Sequence, residues 1–143
     1  MYSDSKPTLR FTRADDCFKV PCRAYPGDAG YDLFLTKTAT LRPGLHRLST
    51  GVSVAFPAGY YGRLTGRSST LLRHGGLVVE GILDNGYRGE LFVNFWALEP
   101  TKVVRGDRLA QLLVHRLESV NWHEVDSLKD SERGVQGFGS SGK

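Results

Sequence analysis

The sequence predicts an all-β sandwich or barrel with one short helix and a glycine-rich C-terminal flap. Short runs of β-branched and aromatic residues recur along the chain, and turns that contain Gly, Pro, Asn or Asp separate them. No apolar helical period of useful length appears. Residues 133–142 include four glycines, which excludes this stretch from a packed core because glycine has no side chain to bury.

Four segments carry the strand signal. Residues 8–13 and 51–56 alternate apolar and polar side chains, as a half-buried strand does. Residues 90–97 and 109–117 are rich in strand-forming residues and apolar on both faces, which predicts strands buried on both sides. The stretch 84–86, Asp-Asn-Gly between two apolar runs, predicts a hairpin turn.

The single helix is expected over residues 70–73. Ser68 and Ser69 precede it and suit a serine N-cap, and two glycines follow it and suit its C-terminal end. A helix N-terminus presents unpaired N–H groups to an anion, and Arg67 stands beside it in the sequence. These residues indicate a phosphate-binding turn, with a plain N-cap and a surface arginine as the alternative.

The length and net charge of the chain limit its domain organisation and the classes of partner it can have. Residues 1–132 are expected to form one domain and residues 133–143 a flexible flap. The net charge is +4 and no Lys/Arg run appears, so we expect no nucleic-acid surface. No apolar run approaches the ~18 residues that cross a bilayer, and the N-terminus lacks the apolar region of a secretory signal. We therefore expect no membrane partner and a cytoplasmic or nuclear location.

Cys17 and Cys22 are the only cysteines, and three interpretations apply to them. A reducing compartment disfavours a small disulfide loop. Half of a zinc site is disfavoured because no second Cys/His pair follows at ligand spacing. Two buried or partly buried thiols are the favoured interpretation. The four histidines are scattered, which argues against a catalytic site centred on histidine.

Four further residues are candidates for chemistry. Asp84 follows a strongly apolar run at a tight turn, where a rigidly held carboxylate can act as a general base, although most turn carboxylates are inert. Tyr87 suits packing on a sugar face, and a structural tyrosine fits equally well. For Asp32 the simple interpretation is a solvated or hydrogen-bonded carboxylate, and for Gln111 a structurally paired amide.

The order and spacing of five blocks add a more specific indication. The blocks are AGYDL at residues 29–33, GRSS at 66–69, GILDNGYRGE at 81–90, RGDRLAQL at 105–112 and RGVQGFGSSG at 133–142. In that order they resemble the five motifs of the trimeric dUTPase family, and the resemblance spans nearly the whole chain. It implies a β jelly roll, a homotrimer whose active sites are each assembled from three chains, and dUTP as the substrate.

The resemblance also implies a role for each matching residue. Asp84 matches the aspartate that activates the attacking water, and Tyr87 the tyrosine that stacks on deoxyribose. Phe138 matches the ring that stacks on uracil. Asp32 matches an aspartate that reaches Mg²⁺ through water, the ion being held mainly by the triphosphate. The hairpin positions implied to read uracil are Gly81, Ile82, Leu83 and Phe92. The positions that match phosphate or flap contacts are Arg67, Ser68, Ser69, Gln111, Arg133, Gly139, Ser140 and Ser141.

The implied reaction is hydrolysis of dUTP to dUMP and pyrophosphate, with water attacking the α-phosphorus and Mg²⁺ as cofactor. Such an activity limits uracil incorporation into DNA and supplies dUMP for thymidylate synthesis. The alternatives are a dCTP deaminase that shares the fold and a divergent relative that acts by binding a protein. Asp84, the YRG tyrosine motif and the intact flap favour the diphosphatase over these alternatives.

Four positions depart from the family pattern. Gly86 stands where many relatives have an acidic or amide residue, and Gln136 replaces a residue of the flap that is often small. Val78 stands where some relatives place an asparagine that touches uracil, so we expect uracil recognition to rest more on main-chain groups. Glu80 places a carboxylate next to the pocket, which weakens triphosphate binding unless the side chain points outward.

Overall fold

The computed structural model describes residues 5–139 of the chain. Within these residues the chain forms ten β-strands and one α-helix. In chain order the elements are β1 (Arg10–Arg13), β2 (Tyr31–Leu33), β3 (Ala39–Leu41), β4 (Gly44–Ala55), β5 (Tyr60–Gly66), α1 (Thr70–His74), β6 (Gly76–Val78), β7 (Gly81–Leu83), β8 (Glu90–Ala97), β9 (Thr101–Val103) and β10 (Ala110–Arg116). The prediction of an all-β fold with one short helix is confirmed.

Two four-stranded antiparallel sheets enclose the core. The first sheet has the strand order β1-β4-β8-β6 and the second β2-β10-β5-β7, while β3 and β9 form a separate pair. Chain neighbours such as β4 and β5 lie in different sheets, so the chain crosses between the layers as in a jelly roll. Buried side chains from both sheets, among them Leu64, Phe95 and Leu112, belong to one hydrophobic cluster.

Strand β8 coincides with the predicted segment but is buried on one face only. Leu91, Val93 and Phe95 are fully buried, whereas Trp96 is 48% exposed on the opposite face. The prediction of a strand buried on both sides is therefore wrong for the single chain. The physical reason is that the described residues leave the outer face of the first sheet without a covering layer.

Strand β4 extends further than the predicted segment 51–56 because it begins at Gly44. Its pairing with β8 shifts between Ser49 and Ser53, and Gly51 within this bulge has a φ of 69°. A bulge interrupts the alternation of side chains, which hides the continuity of the strand in the sequence. Strand β10 is one residue shorter than predicted at each end. Its first half alternates buried with half-buried side chains, and its second half is half-buried to exposed.

The helix is confirmed, but its N-terminal cap differs from the prediction. Ser69 occupies the cap position without a side-chain hydrogen bond to the helix. Instead, the Thr70 hydroxyl accepts a hydrogen bond from the Arg67 N–H at 3.0 Å and donates one to the Leu109 carbonyl at 2.7 Å. Threonine thus ties the start of α1 to the segment before β10, and Gly75 ends the helix with a φ of 62°.

The turn at residues 84–86 is confirmed, since the Tyr87 N–H donates to the Asp84 carbonyl at 3.0 Å. The strands on either side of this turn, β7 and β8, do not pair with each other as they would in a simple hairpin. Strands β6 and β8 are antiparallel neighbours, but β7 leaves that sheet and pairs with β5 of the second sheet. The two arms of the hairpin therefore separate, and a cleft opens between β7 and β8.

The segment from residue 117 to residue 139 contains no helix or strand, and nearly all of its side chains are exposed. Large apolar side chains are among them: Trp122 is 95% exposed and Leu128 is 86% exposed. This segment therefore does not bury its apolar side chains against the sandwich of its own chain.

The cysteines are free thiols, and both are half-buried, as the favoured interpretation predicted. Across residues 5–139, the His, Cys, Asp and Glu side chains form no group of three that could hold a metal ion. The same range includes no helix with the length and apolar character needed to span a membrane.

Candidate active site

A cleft of about 430 Å³ opens where β7 and β8 separate. It brings together six residues that the sequence predicted for the site, namely Gly81, Ile82, Leu83, Asp84, Tyr87 and Phe92. The charged residues that line it are Arg47, Asp84 and Glu90. A concave surface that combines apolar side chains with a few polar groups is the usual form of a small-molecule site.

Asp84 stands on a turn that is anchored by its neighbour. The Asn85 side-chain amide donates to the Pro57 carbonyl at 3.0 Å and to the Tyr60 carbonyl at 2.8 Å. Arg88 adds a 2.7 Å hydrogen bond to the Asn85 carbonyl. These bonds hold the turn backbone and leave Asp84 exposed, so its carboxylate is free to orient a water molecule.

Tyr87 folds back across the same turn. Its hydroxyl donates to the Glu90 carbonyl at 2.9 Å. A Cβ atom on Gly89 would approach the Tyr87 Cζ to 2.6 Å, so only glycine leaves room for the ring there. The tyrosine is 38% exposed and lines the cleft, which allows the ring to pack against a ligand.

A second group, which includes the predicted residues Asp32, Arg67 and Gln111, lies beyond the other end of β5. This anion cluster consists of Asp32, Arg67, Arg108 and Gln111. The buried Asp32 carboxylate forms ion pairs with Arg67 Nε at 2.9 Å and with Arg108 Nη1 at 3.3 Å. Two guanidinium groups against one carboxylate leave a net charge of about +1, which favours an anion as ligand.

Arg67 is held in one geometry within the anion cluster. Besides its ion pair, its Nη1 donates to the Arg108 carbonyl at 3.1 Å. A guanidinium carries five N–H donors, so these two contacts leave donors for a phosphate. Because α1 is only five residues long, side-chain charge rather than the helix dipole sets the anion preference here.

Gln111 and the two serines complete this region. The Gln111 amide donates to the Gly66 carbonyl at 3.1 Å. A Cβ atom on Gly30 would lie 2.7 Å from Gln111 Cδ, so glycine is required beside the amide. Ser68 is exposed and Ser69 half-buried, and within the described residues neither hydroxyl forms a hydrogen bond.

Strand β5 separates the cleft from the anion cluster within one chain. Antiparallel pairing places Leu83 opposite Gly62, so Asp84 lies beside the start of β5, whereas Arg67 follows its last residue. The intervening strand residues, at about 3.3 Å each, put the two groups about 20 Å apart. A general base must lie within hydrogen-bond reach of its water. In one chain the backbone positions of the predicted base and of the predicted phosphate contacts therefore lie at opposite ends of β5.

The described flap residues, 133–139, do not line the cleft of their own chain. Phe138 and Gly139 are exposed and do not line the cleft. Arg133 is exposed, and its Nε donates to the Gln136 carbonyl at 2.6 Å. The remaining flap predictions, Ser140 and Ser141, lie outside the described residues.

Two of the departures from the family pattern are placed away from the cleft lining. Val78 packs against the hydrophobic core. Glu80 forms an ion pair with Arg63 on β5, with 3.3 Å between Oε1 and Nε, and does not line the cleft. The carboxylate of Glu80 is thus paired with a cation outside the cleft lining, and its effect on triphosphate binding stays a prediction.

Several residues of these two regions were not singled out from the sequence, among them Arg108, Arg47 and Asn94. Arg108 lies within a recognised motif, and its position before a buried strand offered a signal. Arg47 and Asn94 line the cleft because β4 pairs with β8 and places them opposite each other. No local pattern indicates that pairing, since the two residues are far apart in the chain.

Comparison with known proteins assigns this arrangement to a family. A family model described as dUTPase matches residues 16–142. The chain belongs to the dUTPase family. As a dUTPase it is an enzyme, a dUTP diphosphatase.

Bacterial relatives of this dUTPase match over most of their length. It is 44% identical over 142 residues to the deoxyuridine 5'-triphosphate nucleotidohydrolase of Rhodococcus erythropolis. The alignment covers 94% of this chain and 86% of the relative. It is also 44% identical over 138 residues to the enzyme of the same name from Gloeobacter violaceus, covering 91% of this chain and 93% of that relative.

Solved dUTPase structures share the fold. The dUTPase of Staphylococcus bacteriophage 80alpha with dUPNHPP has a TM-score of 0.84 and 28% identity, over 95% of this chain and 99% of that chain. A mutant dUTPase from phage phi11 of S. aureus, in which a structural Mg(II) ion is coordinated, has a TM-score of 0.77 and 25% identity, over 84% of this chain and 97% of that chain.

Proposed function

We propose that this dUTPase hydrolyses dUTP to dUMP and pyrophosphate, with a water activated by Asp84 attacking the α-phosphorus. The observation that carries this mechanism is the cleft between β7 and β8, where an exposed carboxylate and an exposed tyrosine lie on one anchored turn. In a cell, such a reaction would limit uracil incorporation into DNA and supply dUMP for thymidylate synthesis.

The nucleoside would occupy this cleft. The uracil would face the main-chain groups of Gly81, Ile82, Leu83 and Phe92. Because β7 and β8 do not pair with each other there, their facing N–H and C=O groups are available to a ligand. Tyr87, held by its bond to the Glu90 carbonyl, would pack on the deoxyribose and leave no room for a 2′-hydroxyl. These contacts would place the α-phosphate next to Asp84.

The triphosphate would be bound by the anion cluster. Arg67 and Gln111 are fixed by neighbouring groups before any ligand arrives, so their donors are preorganised for phosphate oxygens. The free hydroxyls of Ser68 and Ser69 would add contacts at the same end of β5. Preorganised charge of this kind supplies most of the rate enhancement in phosphoryl chemistry.

Mg²⁺ would enter with the nucleotide. The described residues supply no set of carboxylates that would hold the ion alone, which fits an ion carried by the triphosphate. A carboxylate offers about four lone-pair positions and the two ion pairs of Asp32 engage two of them, so Asp32 retains acceptors for a water of the hydrated ion. When bound, Mg²⁺ neutralises charge on the phosphates and on the departing pyrophosphate.

Each active site would combine different copies of the chain in a homotrimer. The separation of about 20 Å between Asp84 and Arg67 supports this proposal, since a second copy can bring its anion cluster to the cleft of the first. An apolar row formed by Leu45, Trp96 and Leu77 crosses β4, β8 and β6 on the exposed outer face of the first sheet, and such a row suits burial between copies.

The flap would close the site. Phe138, fully exposed in the single chain, would stack on the uracil, and Arg133 with Ser140 and Ser141 would reach the phosphates. Gly139 has a φ of 92° and permits the close backbone approach that such a closure needs. Closure would exclude bulk water from the attacking nucleophile and the phosphates.

The decisive experiment compares wild type with Asp84→Asn, a variant of the same size that lacks the basic carboxylate. Pyrophosphate release is measured with dUTP, dTTP, UTP and dCTP, with and without Mg²⁺. We expect selective, Mg²⁺-dependent release from dUTP, and a loss of about 10²- to 10⁴-fold in kcat for Asp84→Asn with dUTP binding retained. Substantial residual turnover in this variant would remove Asp84 from the proposed role, and equal rates with dTTP and UTP would contradict the proposed pocket.

A further inference from the structure

The cleft contains a cation that the mechanism above does not use. Among the described residues that line the cleft, Arg47 is the one cationic side chain. It lies on β4, directly opposite Asn94 of β8, and its Cζ stands 3.7 Å from the centroid of the Phe92 ring. Phe92 also lines the cleft, so the guanidinium is held against a wall of the pocket.

The donors of Arg47 are not engaged by the chain. Within the described residues, its guanidinium has no ion pair or hydrogen bond to another side chain, and Glu90, which also lines the cleft, is not paired with it. When a guanidinium stacks on an aromatic ring, its N–H bonds lie in a plane parallel to the ring. They point outward from the stack and can donate hydrogen bonds to a ligand. Arg47 is therefore a fixed donor without a partner at the cleft.

The position of Arg47 along the cleft indicates which ligand atom it meets. Asp84 and Tyr87 lie at the turn, whereas Asn94 is paired with Val79 further back, where the Val79 N–H donates to the Asn94 carbonyl at 2.7 Å. If sugar and α-phosphate occupy the turn end, the base extends toward Asn94 and Arg47. In a pyrimidine nucleoside the 4-position lies across the ring from the glycosidic nitrogen, so it is the edge presented to Arg47.

We propose that Arg47 is a specificity-determining residue that donates a hydrogen bond to the 4-oxo group of uracil and thereby discriminates against cytosine. This inference rests on the proposed function. Uracil carries a carbonyl acceptor at this position, whereas cytosine carries an amino donor. A guanidinium has donors only, so it pairs with the first and faces the second donor to donor. Sites that hydrogen-bond one substrate reject the analogue that lacks the partner.

Arg47 would also supply a side-chain hydrogen-bond donor that Val78 lacks. Val78 offers no side-chain amide to a base, and it packs against the core. A charged donor from β4, which β8 separates from the strand of Val78, would supply side-chain recognition where main-chain groups would otherwise act alone. Because the Phe92 ring fixes the guanidinium, little side-chain entropy is lost when the base binds.

The test measures kcat/KM for pyrophosphate release with three nucleotides: dUTP, dCTP, and a dUTP analogue that lacks the 4-oxo group. Arg47→Met keeps an unbranched side chain over the Phe92 ring but removes every donor, and Arg47→Lys keeps a charged donor. Arg42→Met is the matched control, because Arg42 is exposed and does not line the cleft. Thermal denaturation of each variant establishes that it is folded.

We expect Arg47→Met to lower kcat/KM for dUTP by about 10- to 100-fold, the effect of one charge-assisted hydrogen bond, while the rate with dCTP hardly changes. Arg47→Lys should recover part of the loss, and Arg42→Met should match wild type. The analogue should be a poor substrate for wild type and should lose nothing further in Arg47→Met.

Two outcomes overturn the proposal. If Arg47→Met retains the wild-type preference for dUTP over dCTP, Arg47 does not read the 4-position. If removing the 4-oxo group costs the same factor in wild type and in Arg47→Met, the two groups do not interact. Both results leave dUTP hydrolysis intact, whereas a wild-type enzyme inactive on dUTP would overturn the proposed function together with this inference.

Discussion

Two inactive variants of this dUTPase are expected to restore activity to each other when they share an oligomer. In Asp84→Asn every site lacks the carboxylate, and in Arg67→Ala every site lacks a guanidinium of the anion cluster. The backbone positions of the two groups lie about 20 Å apart in one chain, and under the proposed arrangement each site takes the carboxylate from one copy and the guanidinium from another. A mixed oligomer then contains sites in which both groups are intact.

The size of the recovery follows from this arrangement. In a closed ring assembled at random from equal amounts of the two variants, the copy that donates position 84 is intact there in half of the sites. The neighbour that donates position 67 is intact in half of those, so about one site in four regains both groups. If one chain supplied both groups to its own site, the mixed oligomer would gain no intact site at all.

The assay is pyrophosphate release from dUTP after the two variants are unfolded together and refolded. Affinity tags of two kinds establish that mixed oligomers have formed, and the same variants combined only after separate refolding are the control. We expect about a quarter of wild-type activity in the co-refolded sample as a whole and none above background in the control. Verified mixed oligomers without recovered activity would refute the reasoning.

Three further predictions concern single positions. Asn85→Ala removes two hydrogen bonds below the Asp84 turn, so we expect a loss of about 1–3 kcal/mol in the free energy of unfolding by denaturant titration and a lower kcat. Gly62→Val places a Cβ 3.0 Å from Phe56 Cε1, and overpacking should cost about 1–3 kcal/mol in the same titration. Trp96→Glu adds a charge to the exposed apolar row, so sedimentation should show smaller species than wild type; an unchanged oligomer would exclude this face as an interface.

Local sequence pattern predicted the fold class because strand signals and turn residues are local. Strand β8 was located at its observed ends, and the turn at 84–86 was recognised from three residues. Burial was predicted less well, since the outer face of β8 carries large apolar side chains that remain exposed in the single chain. The path of β7 into the second sheet was not predicted, because strand pairing depends on contacts between distant segments.

The residues of the candidate site also divide into those that a local motif indicates and those that only strand pairing brings to the site. Asp84 and Tyr87 belong to one turn, and a contiguous motif was sufficient to indicate them. Arg47 reaches the cleft only through the pairing of β4 with β8, for which no short motif exists. At the start of α1 the sequence located the cap position, which Ser69 occupies, but not the bond that holds it: Thr70 is bonded to Leu109, a residue that the fold brings close from a distant part of the chain.

Three features of the single chain have no explanation within it, and one arrangement accounts for all of them. The cleft and the anion cluster lie at opposite ends of β5, the outer face of β8 exposes Trp96, and the segment after β10 exposes Trp122. Leaving such side chains in water forgoes about 1.5–3 kcal/mol each. Association that buries these surfaces would supply free energy for assembly, and the same contact would complete the site. Under this proposal catalysis depends on assembly. Dilution below the dissociation constant of the oligomer should therefore lower the rate of dUTP hydrolysis per chain in proportion to the loss of oligomer.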